Sequence, residues 1–302
     1  AGMDDVKGID MTTVKDEDFD DIVTRYTVFG RVTPIQKKKL VQALKRKKYT
    51  VGMVGDGVND VLALKESDCS IAMASGSEAA RNVSELVLLD SNFASMPKIV
   101  AEGRRIINNI ERSSSLLLSK TIFTILLIAI CVFISSEYFF IPIQLTLITM
   151  FTIGIPSFIL ALEPNHELVE GNFLLKVLSR SLPAALTVAF NVIMVLLFQY
   201  VFHLSDEIIS SLVIFLTAMT GFILLYRICQ PFNRLRRILF VLLILGFVYG
   251  SIFQSDFFNI HGVTVEIALI FAVLLLSSLY VFNKLSLTVG SYLEKKGWLH
   301  TK

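Results

Sequence analysis

Three side chains able to bind a metal ion or a phosphate, Asp56, Asn59 and Asp60, sit close together, and Gly55 and Gly57 flank the first of them. A hard cation such as Mg²⁺ prefers carboxylate oxygens and waters, and usually takes one or two protein carboxylates beside a phosphate. Asp56 suits that role, and Asp60 could support it. Gly-Asp-Gly alone is also an ordinary surface turn. What precedes it favours chemistry: residues 50–54 are apolar, rich in β-branched side chains and too few for a helix, so they read as a buried strand. The two glycines let the chain bend sharply and project a carboxylate from the carboxyl end of that strand, where open α/β sheets place ligands. Asn59 and Asp60 then open the following helix.

The neighbouring elements fit such a site. Residues 26–30 read as a strand. Thr33 followed by Pro34 is a helix start, a side-chain cap and then a proline whose missing amide is no loss at the first helical position. That helix should run to about Lys47 and bury Leu40, Val41 and Leu44. Lys37 falls in its first turns; taken alone it is a solvated surface lysine. After the acidic loop a helix is expected through Ala63, Leu64 and Glu66, followed by strands at residues 69–73 and 85–89. Asp16, Glu17 and Asp18 should begin a short exposed helix. Strands alternating with short helices predict a doubly wound parallel sheet.

The composition changes along the chain. Residues 1–113 carry charge of both signs, whereas long apolar runs dominate from Ser114 onward and raise the hydrophobic fraction of the 302 residues to 54%. This describes a membrane protein with a soluble head. A net charge of +2, with no basic patch interleaved with aromatics, argues against a nucleic-acid partner. The basic run Lys45-Arg46-Lys47-Lys48 reads as a solvated helix end. Cys69, Cys131 and Cys229 suggest neither a disulfide framework nor a zinc site. The chain begins Ala1-Gly2-Met3 with no charged-then-apolar leader, which reads as a truncated start and not as a signal peptide.

Residues 94–113 repeat apolar side chains at helical spacing and predict a stalk helix that continues into the bilayer. Six apolar runs follow, at about 114–135, 141–162, 182–202, 208–226, 236–253 and 263–282, each near the length that spans a bilayer. Lys176, Arg180, Arg227, Arg234, Arg236, Arg237 and the tail lysines fall on the head side, while Glu137, Asp206, Glu207 and Asp256 fall on the other. That asymmetry predicts a cytoplasmic head and carboxyl terminus in a multi-pass protein of the cell membrane. The expected division is residues 1–93 for the α/β head, 94–113 for the stalk, 114–282 for an all-α membrane domain and 283–302 for a cytoplasmic tail.

Polar residues within spans are informative because they are costly in lipid. Lys120, Thr121 and Thr124 lie in the first span, and Gln144, Thr146, Thr149 and Thr152 in the second. Gly154 and Pro156 should break the second span and free carbonyls for a cation path. A threonine in a membrane helix can equally bond its own backbone. Lys120 has two readings, a side chain snorkelling to the interface or a built-in counter-ion. Asn191 in the third span reads as interhelical glue.

Gly55-Asp56-Gly57-Val58-Asn59-Asp60, with Arg31-Val32-Thr33-Pro34-Ile35-Gln36-Lys37 before it and Ile71-Ala72-Met73-Ala74-Ser75-Gly76 after it, resembles the last third of the phosphorylation domain of P-type ATPases. These are ion pumps with a haloacid-dehalogenase-like catalytic fold. The resemblance continues through Glu102-Gly103-Arg104 and Asn108-Asn109 into the membrane part. It implies that Asp56 holds Mg²⁺, that Lys37 and Asn59 contact the phosphoryl group delivered by ATP, and that Asp60 supports the metal and the loop. It also implies that the first two spans are the fifth and sixth of such a pump and contribute to its ion site. Here the sequence departs from calcium and sodium pumps: Thr121, Thr124, Thr149 and Ile153 stand where those carry asparagine or carboxylate side chains. Residues 152–165 look more like the bacterial branch called cation-transporting ATPase E, linked to calcium.

Family members also carry an Asp-Lys-Thr-Gly-Thr loop with the phosphorylated aspartate, a nucleotide-binding domain, an actuator domain and earlier spans, none of which is in this sequence. The expectation is therefore the carboxyl-terminal part of a pump, partnered by its amino-terminal part, the bilayer and a transported cation, and inactive on ATP alone. A catalytically silent remnant or split-pump subunit that binds a partner is the alternative. A soluble phosphatase fused to an unrelated transporter fits less well, because the resemblance crosses the junction.

Overall fold

The computed structural model describes residues 6–134, 138–165, 167–169, 171–260 and 265–295. Glu137, the first residues of the chain and the tail beyond Lys295 lie outside the described residues. Contacts divide the chain into two units, Ala1–Val100 and Ala101–Lys302.

The first unit is parallel α/β. It holds β1 (Gly8–Asp10), α1 (Phe19–Arg25), β2 (Val28–Gly30), α2 (Pro34–Arg46), β3 (Gly52–Gly55), α3 (Val61–Glu66), β4 (Cys69–Met73), α4 (Glu78–Val83) and β5 (Leu86–Leu88). Every strand pair is parallel, in two sheets ordered β1-β2 and β3-β4-β5. The register sets Gly55 against Ala72 and Ala72 against Val87. The expected single sheet is thus divided, and β1 occupies a stretch that carried no legible strand pattern. Asp16–Asp18 forms a 3₁₀ turn leading into α1. Thr33 caps α2 in a full capping box: its hydroxyl accepts from the Gln36 amide and the Gln36 side chain accepts from the Thr33 amide. Of the three residues expected to be buried by α2, Val41 is, while Leu40 and Leu44 are half-buried. Met11, Phe19, Ile22 and Ala43 form one small core, and Leu64, Ala72 and Ala80 another.

The second unit is all helix. A single helix, α5 (Met96–Ile134), begins in the first unit and runs on through residues 101–134 of the second. Then come α6 (Pro142–Thr149), a π turn (Met150–Gly154), α7 (Ile155–Ala161), α8 (Phe173–Phe202), α9 (Asp206–Ile228), α10 (Arg234–Phe253), the short α11 (Ser255–Phe258) and α12 (Val265–Lys295). Six of these segments, the α6–α7 run counting as one, are long and apolar enough to cross a membrane. α8 and α12 extend well beyond the apolar runs read in the sequence. α8, α9 and α12 pack on one another, and the π turn packs on α9 and α10. Asn191 joins the three helices of that bundle: its amide donates to Thr220 Oγ1 at 3.2 Å, and Ser278 Oγ donates to its carbonyl at 2.7 Å.

Candidate functional site

β3 ends at Gly55, and the chain turns at once through Asp56 into a 3₁₀ turn, Val58–Asp60, that leads into α3. Asp56 therefore leaves the carboxyl end of β3 as the spacing suggested. Asp60 folds back beneath this turn and is buried at 6% exposure. A Cβ on Gly55 would lie 2.6 Å from the Asp60 Cβ, so only glycine lets the carboxylate tuck under the strand end. Asp60 Oδ1 takes the Lys37 ammonium at 2.6 Å, and Oδ2 accepts the Gly57 amide at 3.3 Å. Burial pushes the Asp60 carboxyl upward, but the Lys37 hydrogen bond, the Gly57 amide and the Lys37 charge outweigh it and leave its pKa below the ordinary value.

Asp56 is exposed, and among the described residues its carboxylate makes no hydrogen bond or ion pair. Its backbone is held instead. The Ser77 amide donates to the Asp56 carbonyl at 2.7 Å, and a Cβ on Gly76 would meet that carbonyl oxygen at 2.6 Å. The loop after β4 therefore clamps the loop after β3. Asn59 is exposed beside them. The donor set suits Mg²⁺: one unengaged carboxylate at a strand end fits a cation that keeps most of its waters. Asp60, by contrast, is committed to Lys37 and the turn, so it positions neighbours.

In the helical unit the sequence candidates separate. Thr149 and Thr152 line a cavity of about 20 Å³ among α5, α6, the π turn, α8 and α9, room for roughly one water. Ser119, Thr217 and Thr220 join them there, and among the described residues no carboxylate does. Thr152 donates to Ile148 O at 2.8 Å, Ser119 to Leu116 O and Thr220 to Leu216 O, whereas the buried Thr217 hydroxyl has no partner among the described residues. The π turn falls where Gly154 and Pro156 were expected to disturb the span. Pro156 brings no amide to the ladder, so one carbonyl of the preceding turn lacks a helical donor. Lys120, Thr121 and Thr124 do not line this cavity; Thr121 is exposed and bonds Leu117 O. Gln144 caps its own helix through the Ile141 amide and donates to Asn259 O at 2.9 Å. Thr146 bonds Pro142 O. The missed hydroxyls lie on helices whose inward faces could not be fixed from one chain's periodicity.

A second polar cluster also escaped the sequence reading. Glu163, buried after α7, takes Arg236 at 2.8 to 3.0 Å, Arg112 at 3.4 Å and the Asn233 amide. Asn109 donates to the carbonyls of Ala161 and Glu163, both at 3.0 Å. These bonds tie α5 to the segment after α7 and to the start of α10.

Fold and loop together define a haloacid-dehalogenase-like head followed by a helical membrane part. Residues 12–68 match the family model of haloacid dehalogenase-like hydrolases. The chain is a relative of the P-type cation-transporting ATPases along most of its length. It is 39% identical over 298 residues to the probable cation-transporting ATPase exp7 of Streptococcus pneumoniae serotype 4, an alignment that covers 95% of this chain and 38% of that protein. It is 51% identical over 173 residues to the calcium-transporting ATPase CtpE of Mycolicibacterium smegmatis, covering 54% and 22%. Against CtpE of Mycobacterium bovis it is 40% identical over 252 residues, covering 79% and 31%. The chain thus spans less than two fifths of the length of these relatives.

Proposed function

We propose that this chain is the carboxyl-terminal part of an ATP-driven cation pump that cycles through an aspartyl phosphate supplied by the rest of the protein. The observation that carries the reading is the Lys37–Asp60 pair beneath an unengaged Asp56 at the end of β3. Mg²⁺, when bound, supplies charge neutralisation for the transferring phosphoryl group. Asp56 would hold it, Asn59 would offer an amide to phosphoryl oxygens, and Asp60 would hold the Lys37 ammonium aimed at the loop. The continuous α5 would carry the phosphorylation event into the membrane part, with head and carboxyl terminus on the cytoplasmic side.

The hydroxyl-lined cavity at the π turn is our candidate for a stretch of the cation path. Two of the relatives are named as calcium-transporting, which supports Ca²⁺ as the cargo. Five hydroxyl residues without a carboxylate compensate poorly for stripping water from a divalent ion. Charged ligands would therefore come from spans outside this sequence. Lys120 would act from the side of this path or at the interface.

The test is Asp56→Asn in the complete protein. Mg²⁺-dependent phosphoenzyme should be lost while the protein still inserts and folds; normal phosphoenzyme would refute the role. If no form of the wild-type protein takes label from ATP, the partner-binding reading replaces the pump.

A further inference from the structure

A cavity of about 390 Å³ lies among α8, α9 and α12, on the side of the bundle that carries Arg227 at the end of α9 and Lys176 near the start of α8. Among the described residues, Lys176, Arg180 and Arg227 line it, against one lining carboxylate, Glu294. Behind the first two stands a single acid: Glu111 takes Arg180 at 2.8 Å and Lys176 at 3.7 Å. Arg227 has no carboxylate within ion-pair distance among the described residues. Its guanidinium lies over the Phe282 ring, 5.0 Å from the centroid, and bonds the Asn283 side chain. These contacts hold the group in one orientation without neutralising it. Leu224 and Ile228 add an apolar wall beside the cations.

An arginine fork matches phosphate oxygens, and clustered cations strengthen the match. Basic pockets between membrane helices near the interface suit the head groups of anionic lipids. We propose that this cavity binds an anionic phospholipid, its phosphate on Arg227 with Lys176 and Arg180 beside it, and its glycerol and upper chains against the apolar wall. A free phosphate would use the same cations but gain nothing from Leu224, Ile228 and Phe282. The site is independent of the pump reading, since no nucleotide or transported ion enters the argument.

Gly290 also lines the cavity, and a Cβ built there meets no atom within 4 Å. Gly290→Leu would fill the space and favour the helix. The experiment titrates the full chain, in uncharged detergent, with phosphatidylglycerol or phosphatidylcholine and counts bound lipid by native mass spectrometry. Wild type should retain one phosphatidylglycerol and no phosphatidylcholine. Arg227→Gln and Gly290→Leu should each weaken retention by about tenfold or more, with melting in lipid-free detergent unchanged. Arg234→Gln, an exposed cation that does not line the cavity, should leave it intact. Equal loss in Arg234→Gln would mean diffuse surface attraction, and no loss in Gly290→Leu would mean another site; either overturns the proposal. Displacement of the lipid by inorganic phosphate would reassign the cavity to a soluble anion and also overturn it.

Discussion

At the scale of single residues, the head site depends on one backbone clamp and one half-buried ion pair. Gly76 matters because the Asp56 carbonyl occupies the space of a side chain there. Gly76→Ala should push the Asp56 loop away without removing a functional group. A misplacement near 1 Å can cost about a hundredfold in rate, and the complete pump should show a loss of that order in the initial rate of phosphoenzyme formation. A wild-type rate would show that the clamp does not position Asp56. The Lys37–Asp60 pair gives a pH signature. Asp60 titrates below its ordinary value of 3.8, so its folded form is favoured above the unfolded value, and that contribution is lost as pH falls through the lower folded value. Pepsin digestion of the full chain across acidic pH should therefore show an opening of the head below about 3.8 that is missing in Asp60→Asn. The positions of Asp56 and Lys37 were legible because glycine spacing and a proline cap fix local geometry. Asp60's burial was not, since the group that compensates it lies 23 residues away on another helix.

At the scale of elements, the Glu163 cluster holds the loop after α7 in place. One carboxylate serves two buried guanidiniums, and Arg236 also donates to the carbonyls of Cys229 and Pro231. Removing one member of a buried pair strands the other, at a cost of about 3–5 kcal/mol. Glu163→Ala should lower the melting temperature of the chain in detergent accordingly. Arg234→Ala, on the exposed side of the same helix start, should change it little. Equal small effects would show that water reaches the cluster. The sequence marked residues 152–165 only as a motif, because the partners lie 51 and 73 residues away. The same limit separated the threonines. Their presence near a Gly-X-Pro break was plain, yet which of them face inward depends on a π turn that shifts the helical register after Thr149. Ser119, Thr217 and Thr220 were invisible for want of a known partner helix.

At the scale of the whole molecule, orientation in the membrane follows from where charge was left unburied. Asp206 and Glu207 open α9, and Asp256 follows α10, while Lys176, Arg180, Arg227, Arg234 and Arg237 occupy the other ends of these helices. Basic residues near span ends resist translocation, and acidic ones contribute little. The ends bearing Asp206 and Asp256 should therefore face outward, and the head and Lys284 inward. The native thiols permit a direct check, since Cys131 and Cys229 are buried and only Cys69 is half-buried. In a Cys69→Ser background, single cysteines at the exposed positions Asp256, Lys284 and Lys48 can be probed with a maleimide that does not cross membranes. Asp256→Cys should label in intact cells, whereas Lys284→Cys and Lys48→Cys should label only after lysis. Labelling of Lys48→Cys from outside would put the Asp56 loop away from cellular ATP. That outcome would be incompatible with the pump reading, because Asp56 could then never meet a phosphoryl group that ATP delivers in the cytoplasm.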